Sequence, residues 1–531
     1  MPWSVRRLSA PVALAILILL LVELVARLSS FPGLHGDEAW LGMRALEIGD
    51  RGFFSVNGMT AYTGALFPQI IAASFSTIEP GVFALRLPGA IFNWLAVAIV
   101  WATFRNRGYA GFYSTLLFAS SLLFLFYSRV AWEVSALQNL LLALIVWTLS
   151  EMFPVAETLS AAENRGGHRL LFFLACTLGA WNHFIFLAAT LSFGIAATYI
   201  ALSHPGKESA RLFLLAAFNA PLQCAVLIGK PLLSEGAFST HALPAILIGL
   251  AIVGATSDAS IRAEKRALPW IMAFPTRSPE LADSLRNFLI YGTAAVFMLT
   301  LRYDATSFFG TVSGYIMMER VVSYVPSPVE ATALYVRMAV VVAAYALLVF
   351  RQLRRSEGRQ HDALKCLLLL WPIGFLVVLQ NAAPGLSDRY FIIPQFLLFC
   401  AIAVSIGDLG LGWRRVVQAV LVLGFVFTQT FLWREFAYAE NRPPLDFRYG
   451  SYSETSRHFM KLDSVEAFVR DAGFCQLKSK SFFIEEPLLF MRAVRPPSCW
   501  VTDTVHVDYC DSCRKPIAWF SVTVPRIPNA P

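Results

Sequence analysis

The sequence predicts an all-α protein that crosses a membrane many times and ends in a small α/β domain. Of its 531 residues, 57% are apolar and only 15% are charged, whereas soluble domains carry about 25% charged residues. Apolar runs of spanning length recur as far as residue 433, and a charged, proline-rich tail follows. We therefore divide the chain into a membrane domain, residues 1–433, and a tail domain, residues 434–531.

The first apolar run, residues 8–28, predicts an uncleaved spanning helix. It is about 20 residues long, which exceeds the apolar region of a signal peptide, and no small-x-small cleavage site clearly ends it. Runs of similar character predict further spans, each needing about 20 mostly apolar residues. These predicted spans are 86–104, 109–127, 134–152, 169–182, 184–202, 211–229, 241–256, 286–302, 333–351, 365–381, 390–406 and 416–433.

The segment 61–78 is apolar but short, and Pro68 and Gln69 interrupt it. If it does not span, the basic gaps between the other spans fall on one side together with Arg6 and Arg7, as the positive-inside rule favours. We therefore predict a juxtamembrane helix here and about thirteen spans in all. The N-terminus is then cytoplasmic, and the first loop (29–85) and the tail domain are extracytoplasmic. The basic loop 257–285 is cytoplasmic, with only short surface helices expected. The net charge of +8 thus reflects membrane orientation and does not indicate nucleic-acid binding.

Two adjacent acids, Asp37 and Glu38, lie in the first outer loop, directly after His35 and Gly36. Acids beside a bilayer are costly to place and are often functional. The residues that follow have a roughly helical period, so Asp37 is expected near a helix N-cap. The structural alternative is that Asp37 only caps this helix and that Glu38 only complements its dipole.

Three arginines are predicted on the same outer side. Arg389 is the most informative, because the positive-inside rule disfavours it there and a guanidinium suits a bidentate grip on a phosphate. Arg129 and Arg86 also lie at the outer ends of spans, where the alternative is that they anchor helices at the interface. His183 is a weaker candidate, since a histidine in a turn between two helices is often satisfied by backbone.

No phosphate-binding glycine loop, HExxH motif or nucleophile elbow occurs in the chain. We therefore expect no cofactor and assign no metal ligands, although an acidic pair alone leaves metal dependence open. A polytopic transporter or lipid flippase is the alternative function, but it would be expected to place ionisable residues near the bilayer midplane. Most charges here lie at span ends, and Glu23 is the exception.

The order of these elements resembles the GT-C glycosyltransferases, and within them the family 39 group of protein O-mannosyltransferases and aminoarabinose transferases. The resemblance covers roughly residues 1–430. It is carried by short motifs, which are Asp37-Glu38, Phe67-Pro68, Arg86-Leu87-Pro88, Ser128-Arg129 and Arg389-Tyr390 with Pro394.

The resemblance implies a GT-C membrane domain in the cell inner membrane and a polyprenyl-phosphate-linked sugar as donor. It implies that Asp37 is the general base for an inverting transfer to a hydroxyl of a lipid, glycan or protein. Glu38, the second catalytic candidate, is expected to bind or orient the acceptor, or only to favour the helix start. The arginines would stabilise the departing phosphate, and His35, His183 and Tyr390 would contact donor or acceptor. The chain departs from the aminoarabinose transferases in two places. Asn182 and His183 stand where those relatives carry a lysine, and Phe67 stands where a second lysine is expected.

The tail domain contains four of the eight cysteines, Cys475, Cys499, Cys510 and Cys513. In an extracytoplasmic domain they favour two disulfides, with three possible connectivities, over a zinc site, because their spacing is irregular. A short helix at 464–471 and a strand at 518–524 are also predicted in the tail.

Overall fold

The structure is a computed structural model. It describes residues 3–51, 63–107, 109–153, 165–235, 242–293, 295, 343, 345–352, 362–382, 392–407, 409–438, 462–510 and 520–523. Most of these residues are helical. The helices of the membrane domain are α1 Trp3–Val25, α2 Gly36–Arg51, α3 Leu66–Thr77, α4 Val82–Phe104, α5 Ala110–Ala119, α6 Leu122–Tyr127, α7 Glu133–Ala136, α8 Gln138–Met152, α9 Arg165–Asn182, α10 Phe186–Ser203, α11 Lys207–Glu235, α12 Ala242–Arg277, α13 Ala363–Ala382, α14 Ile392–Ile406 and α15 Leu411–Tyr438.

Five of the described helices are long and apolar enough to cross a membrane. They contain the stretches Val82–Phe104, Phe186–Ser203, Lys207–Gly229, Ile246–Arg277 and Leu411–Thr430. Several further apolar helices, α1 among them, have shorter apolar stretches. The multi-pass helical class is therefore confirmed, while the count of about thirteen spans stays a prediction.

The segment 61–78 contains the short helix α3, and its juxtamembrane placement stays a prediction. This helix has 12 residues and is therefore roughly 18 Å long at 1.5 Å per residue. The hydrocarbon core of a bilayer is about 30 Å thick, so α3 is too short to cross it. Phe67, Pro68 and Ile71 of this helix are buried, which places it against the bundle.

The structure corrects two predicted segments. Residues 109–127 form two helices rather than one span, because the side chain of Ser121 accepts a hydrogen bond from the Phe124 backbone N–H and starts α6 as a new helix. Residues 257–277, predicted to hold only short surface helices, continue α12 as one helix of 36 residues. Glu264 supports this extension, since it forms salt bridges with Arg169 of α9 and Arg211 of α11.

The helices pack into one bundle with a continuous apolar core. The first span α1 packs against α4 and α5, α4 against α8, and α8 against α9. On the other side α10 packs against α11 and α13, and α14 joins α13 to α5. The helix α2 packs mainly against α3 and against a helix of the tail domain.

The tail domain is a three-stranded sheet, in the order β1-β2-β3, with two helices. Its elements are α16 Asp463–Asp471, β1 Phe474–Lys478, α17 Phe482–Val494, β2 Val501–Tyr509 and β3 Phe520–Thr523. The strands β1 and β2 are parallel and joined through α17, and β3 is antiparallel to β2. The predicted helix at 464–471 and strand near 520 are therefore present. The helix α17 and the strands β1 and β2 were not predicted.

One predicted disulfide is present in this domain, between Cys475 and Cys499. Cys510 is also disulfide-bonded, and Cys513 lies outside the described residues. These bonds agree with the predicted disulfides. The bond between Cys475 and Cys499 closes the segment that contains α17.

Candidate functional site

The predicted acids lie at the start of α2, and an imidazole organises this helix end. The Asp37 backbone N–H donates a hydrogen bond to Nδ1 of His35 over 3.0 Å, so the His35 ring caps the helix. Asp37, which was expected near the N-cap, lies in the first turn of α2, and its side chain is 35% exposed. The cap therefore leaves the Asp37 carboxylate partly exposed.

The His35 ring is held in place from two sides. Its centroid lies 4.6 Å from the ring of Trp132 and 5.1 Å from the ring of Phe483. Because Nδ1 accepts the Asp37 N–H, the hydrogen-bond network assigns a neutral ring with its proton on Nε2. His35 thus contacts the Asp37 backbone N–H, and its Nδ1 lies 3.8 Å from the Asp37 carboxylate; its predicted contact with donor or acceptor stays a prediction.

Glu38 has a different environment from its neighbour. Its side chain is fully buried, and each carboxylate oxygen accepts two hydrogen bonds. Oε1 accepts from Nε of Arg86 over 2.8 Å and from the Ala131 N–H over 2.7 Å. Oε2 accepts from Nη2 of Arg86 over 2.7 Å and from the His35 N–H over 3.1 Å. A carboxylate so enclosed is not placed to take a proton from a substrate, so the expectation that Glu38 is catalytic does not fit this geometry.

Arg86 completes the network of buried hydrogen bonds around Glu38, which we call the buried frame. Besides its two bonds to Glu38, Arg86 donates from Nη1 to two backbone carbonyls of the segment between α1 and α2, and from Nη2 to a third. The guanidinium has five N–H groups, and these five bonds use them all. Arg86 therefore holds the loop against α4 and has no donor left for a phosphate, contrary to the expectation. The accepting carbonyls belong to Leu28, Pro32 and Gly33.

Arg129 lies at the C-terminal end of α1 and is also fully buried. Its guanidinium donates to the backbone carbonyls of Glu23, Ala26 and Phe31. A cation at a helix C-terminus satisfies the last carbonyls and complements the dipole. Burial is the largest cause lowering the pKa of Arg129, followed by the nearby charge of Arg86. The predicted alternative, an arginine that anchors helix ends, thus fits Arg129 better than phosphate binding.

His183 occupies a buried turn between α9 and α10. Its Nδ1 accepts the Ile185 N–H over 3.1 Å, and its backbone pairs with Thr63 in an antiparallel bridge. The Gly64 N–H donates to the Asn182 carbonyl over 2.9 Å. His183 therefore stabilises this turn, and the turn holds the segment that leads into α3. These contacts agree with the structural alternative, in which backbone groups satisfy this histidine.

The remaining predicted site residues, Arg389 and Tyr390, lie outside the described residues, and their roles stay predictions. Within the described part of the chain, no three His, Cys, Asp or Glu side chains are grouped so that they could hold a metal ion. The structure therefore brings together His35, Asp37, Glu38, Arg86 and Arg129 at one end of the bundle.

Two features of this site were not found from the sequence. The first is the Ala131 backbone N–H, which no side-chain pattern can reveal. The second is α17, whose aromatic residues Phe482 and Phe483 lie on the first turn of α2. The aromatic pair that opens this helix was the available signal, but it stands in a tail with little apolar periodicity.

No family model matches the chain, and no curated protein matches it in sequence. Its structure is similar to that of ArnT from Cupriavidus metallidurans bound to undecaprenyl phosphate, with a TM-score of 0.46 and 12% identity, covering 96% of this chain and 93% of ArnT. It is also similar to the Archaeoglobus fulgidus oligosaccharyltransferase in complex with zinc and sulfate, with a TM-score of 0.49 and 13% identity, covering 86% of this chain and 55% of that one. The chain thus spans about half the length of the oligosaccharyltransferase.

Proposed function

We propose that this protein is an inverting glycosyltransferase that moves a sugar from a polyprenyl-phosphate donor to a hydroxyl group on the outer face of the membrane. The observation that carries the proposal is the contrast within the acidic pair. Glu38 is buried and bound by four hydrogen bonds, whereas Asp37 projects from the same turn with a side chain that is 35% exposed.

This contrast separates two roles. Glu38 ties together the first loop, α4 and the segment after α6, because its partners come from all three. Asp37 is carried by that frame and capped by His35. A general base must reach the proton that it removes, and rigid support of its position contributes to the rate. Asp37 is therefore exposed enough to act as the base, and the hydrogen bonds of Glu38 hold the turn that carries Asp37.

The proposed step balances without a further reactant. Asp37 takes the proton of the acceptor hydroxyl as its oxygen forms a bond to the anomeric carbon of the sugar. The bond from that carbon to the phosphate oxygen breaks, and polyprenyl phosphate leaves with the electron pair. Attack from the face opposite the leaving phosphate inverts the configuration.

The departing phosphate requires cationic stabilisation. Arg86 is neutralised by its ion pair with Glu38, and Arg129 donates to backbone carbonyls, so we propose neither as the direct phosphate ligand. Of the three predicted arginines, Arg389 is the one that we propose for direct contact with the phosphate. Tyr390 beside it is the proposed contact to the sugar or acceptor.

The alternative function, a transporter or flippase, predicts ionisable groups near the middle of the spans. Glu23 was the exception that kept this alternative open. It lies two residues before the end of α1 at Val25, in the turn capped by Arg129. Its place at the helix end favours the enzyme.

The test is transfer of a radiolabelled sugar from polyprenyl phosphate by the purified protein in lipid vesicles. Asp37→Asn should lower the rate roughly 100-fold to 10,000-fold, the range for loss of a general base. Asp50→Asn is the matched control, because Asp50 is exposed on the same helix, and it should retain the wild-type rate. Undiminished transfer by Asp37→Asn would remove Asp37 as the base. If the wild-type protein consumes no polyprenyl-phosphate sugar, the enzyme proposal itself fails.

A further inference from the structure

The helix α17 of the tail domain belongs to two hydrophobic cores at once. Ile484 and Leu488 are fully buried in the core of the tail domain. Phe490 is fully buried in the core of the membrane domain, where its ring stacks on Phe75 of α3 with centroids 6.3 Å apart. The tail domain is therefore joined to the membrane domain through this helix.

The helices α17 and α2 approach each other closely because glycines of α2 lie at their contact. A Cβ atom added to Gly36 would lie 2.8 Å from the Phe482 ring, and one added to Gly42 would lie 2.5 Å from the Phe490 ring. Both distances are shorter than side chains allow, so the absence of a Cβ atom is what permits this approach. The helix that carries Asp37 is thus fitted against the tail domain from its first turn onward.

The N-terminal end of α17 reaches the cap of α2. The Phe483 ring lies 5.1 Å from the His35 ring, on which Trp132 also packs at 4.6 Å. Since His35 Nδ1 accepts the Asp37 N–H, the orientation of the His35 ring sets the first turn of α2. A change at Phe483 is therefore transmitted to Asp37 through one ring and one hydrogen bond.

We propose that Phe483 is a positioning residue for Asp37, so that the tail domain is needed for turnover as well as for stability. The proposal rests on the proposed function in taking Asp37 as the base. Phe483 acts by holding the His35 ring against Trp132. Without this ring contact the imidazole keeps the Trp132 ring on one side but loses its packing on the other, which weakens the hold on the acceptor of the Asp37 N–H.

The first test compares Phe483→Ala, Phe483→Tyr and Phe468→Ala in the transfer assay and in thermal unfolding. Phe468 is a matched control, since it is a phenylalanine of the same domain that is 36% exposed on α16. Phe483→Ala should lower kcat roughly 10-fold to 100-fold, the scale of a small misplacement of a catalytic group, with the donor KM within about twofold of wild type. Phe483→Tyr keeps the ring and should restore most of kcat, and Phe468→Ala should match wild type.

A second test measures how accessible residue 37 is to a labelling reagent, and it does not depend on enzymatic activity. Asp37→Cys is labelled with a membrane-impermeant maleimide in a Cys224→Ala background, because Cys224 is an exposed free cysteine. Adding Phe483→Ala should change the labelling rate several-fold, and adding Phe468→Ala should not. Equal labelling rates, or a kcat that Phe483→Tyr does not restore, would overturn the positioning role. If the wild-type protein transfers no sugar, the proposed function fails, while the labelling comparison still decides whether Phe483 positions residue 37.

Discussion

Glu38 provides the sharpest test of the buried frame beneath the site. Glu38→Gln removes the negative charge opposite Arg86 and places an amide N–H₂ where a carboxylate oxygen now accepts two hydrogen bonds. Both partners are fully buried, so the guanidinium is left without a counter-charge. Breaking a buried ion pair in this way costs roughly 3–5 kcal/mol. Since each 1.4 kcal/mol is tenfold, the ratio of folded to unfolded protein should fall by about a hundredfold or more.

The free energy of unfolding can be measured in mixed detergent micelles by circular dichroism, with Glu47→Gln as the matched control. Glu47 pairs with Arg44 on the same helix, but both side chains are partly exposed, at 35% and 28%. Such pairs contribute about 0–1 kcal/mol because solvent screens them. If Glu38→Gln lowers the free energy of unfolding no more than Glu47→Gln does, the buried frame does not have the structural role assigned to it.

Two further predictions concern the turn at α3 and the tail domain. Gly64→Ala should destabilise the protein in thermal unfolding, because its Cβ would lie 2.0 Å from the Trp181 carbonyl oxygen. Gly49→Ala, in α2 with no atom within 4 Å of the added Cβ, should instead be neutral or stabilise by up to about 1 kcal/mol; equal effects of the two changes would contradict the reasoning. Replacing Cys475 and Cys499 by alanine should lower the free energy of unfolding of the tail domain by roughly 2–4 kcal/mol, measured by denaturant unfolding. Dithiothreitol should lower the stability of the wild-type protein at least as much, because it also reduces the bond of Cys510; a stability indifferent to both changes would refute the disulfide's contribution.

Much of the architecture follows from the sequence because its causes are local. The length of an apolar run sets where a spanning helix can form, and most of the observed helices begin and end near the predicted positions. The break at Ser121 was missed because it depends on a single side-chain cap within an uninterrupted apolar run. The continuation of α12 was missed because its basic second half is supported by Glu264, whose partners come from two other helices.

The assignment of the arginines shows where sequence reasoning fails. Arg86 and Arg129 have the residue type and the location of phosphate ligands, and nothing in the linear sequence separates them from Arg389. Their hydrogen bonds separate them, because the guanidinium groups of both bind backbone carbonyls that come from more than 50 residues away in the chain. Only the folded chain brings those carbonyls together.

The linear sequence is enough to predict a multi-pass helical protein, an acidic pair after the first span, and cysteines that favour disulfides in the tail. These properties depend on composition and on short-range order, which local chemistry sets. The three-dimensional structure separates the two acids, with Glu38 buried against Arg86 and Asp37 partly exposed on a turn held by His35. It also decided that α17 of the tail domain packs on that turn. Both decisions rest on contacts between distant segments, and burial and hydrogen bonding fix such contacts only once the chain has folded.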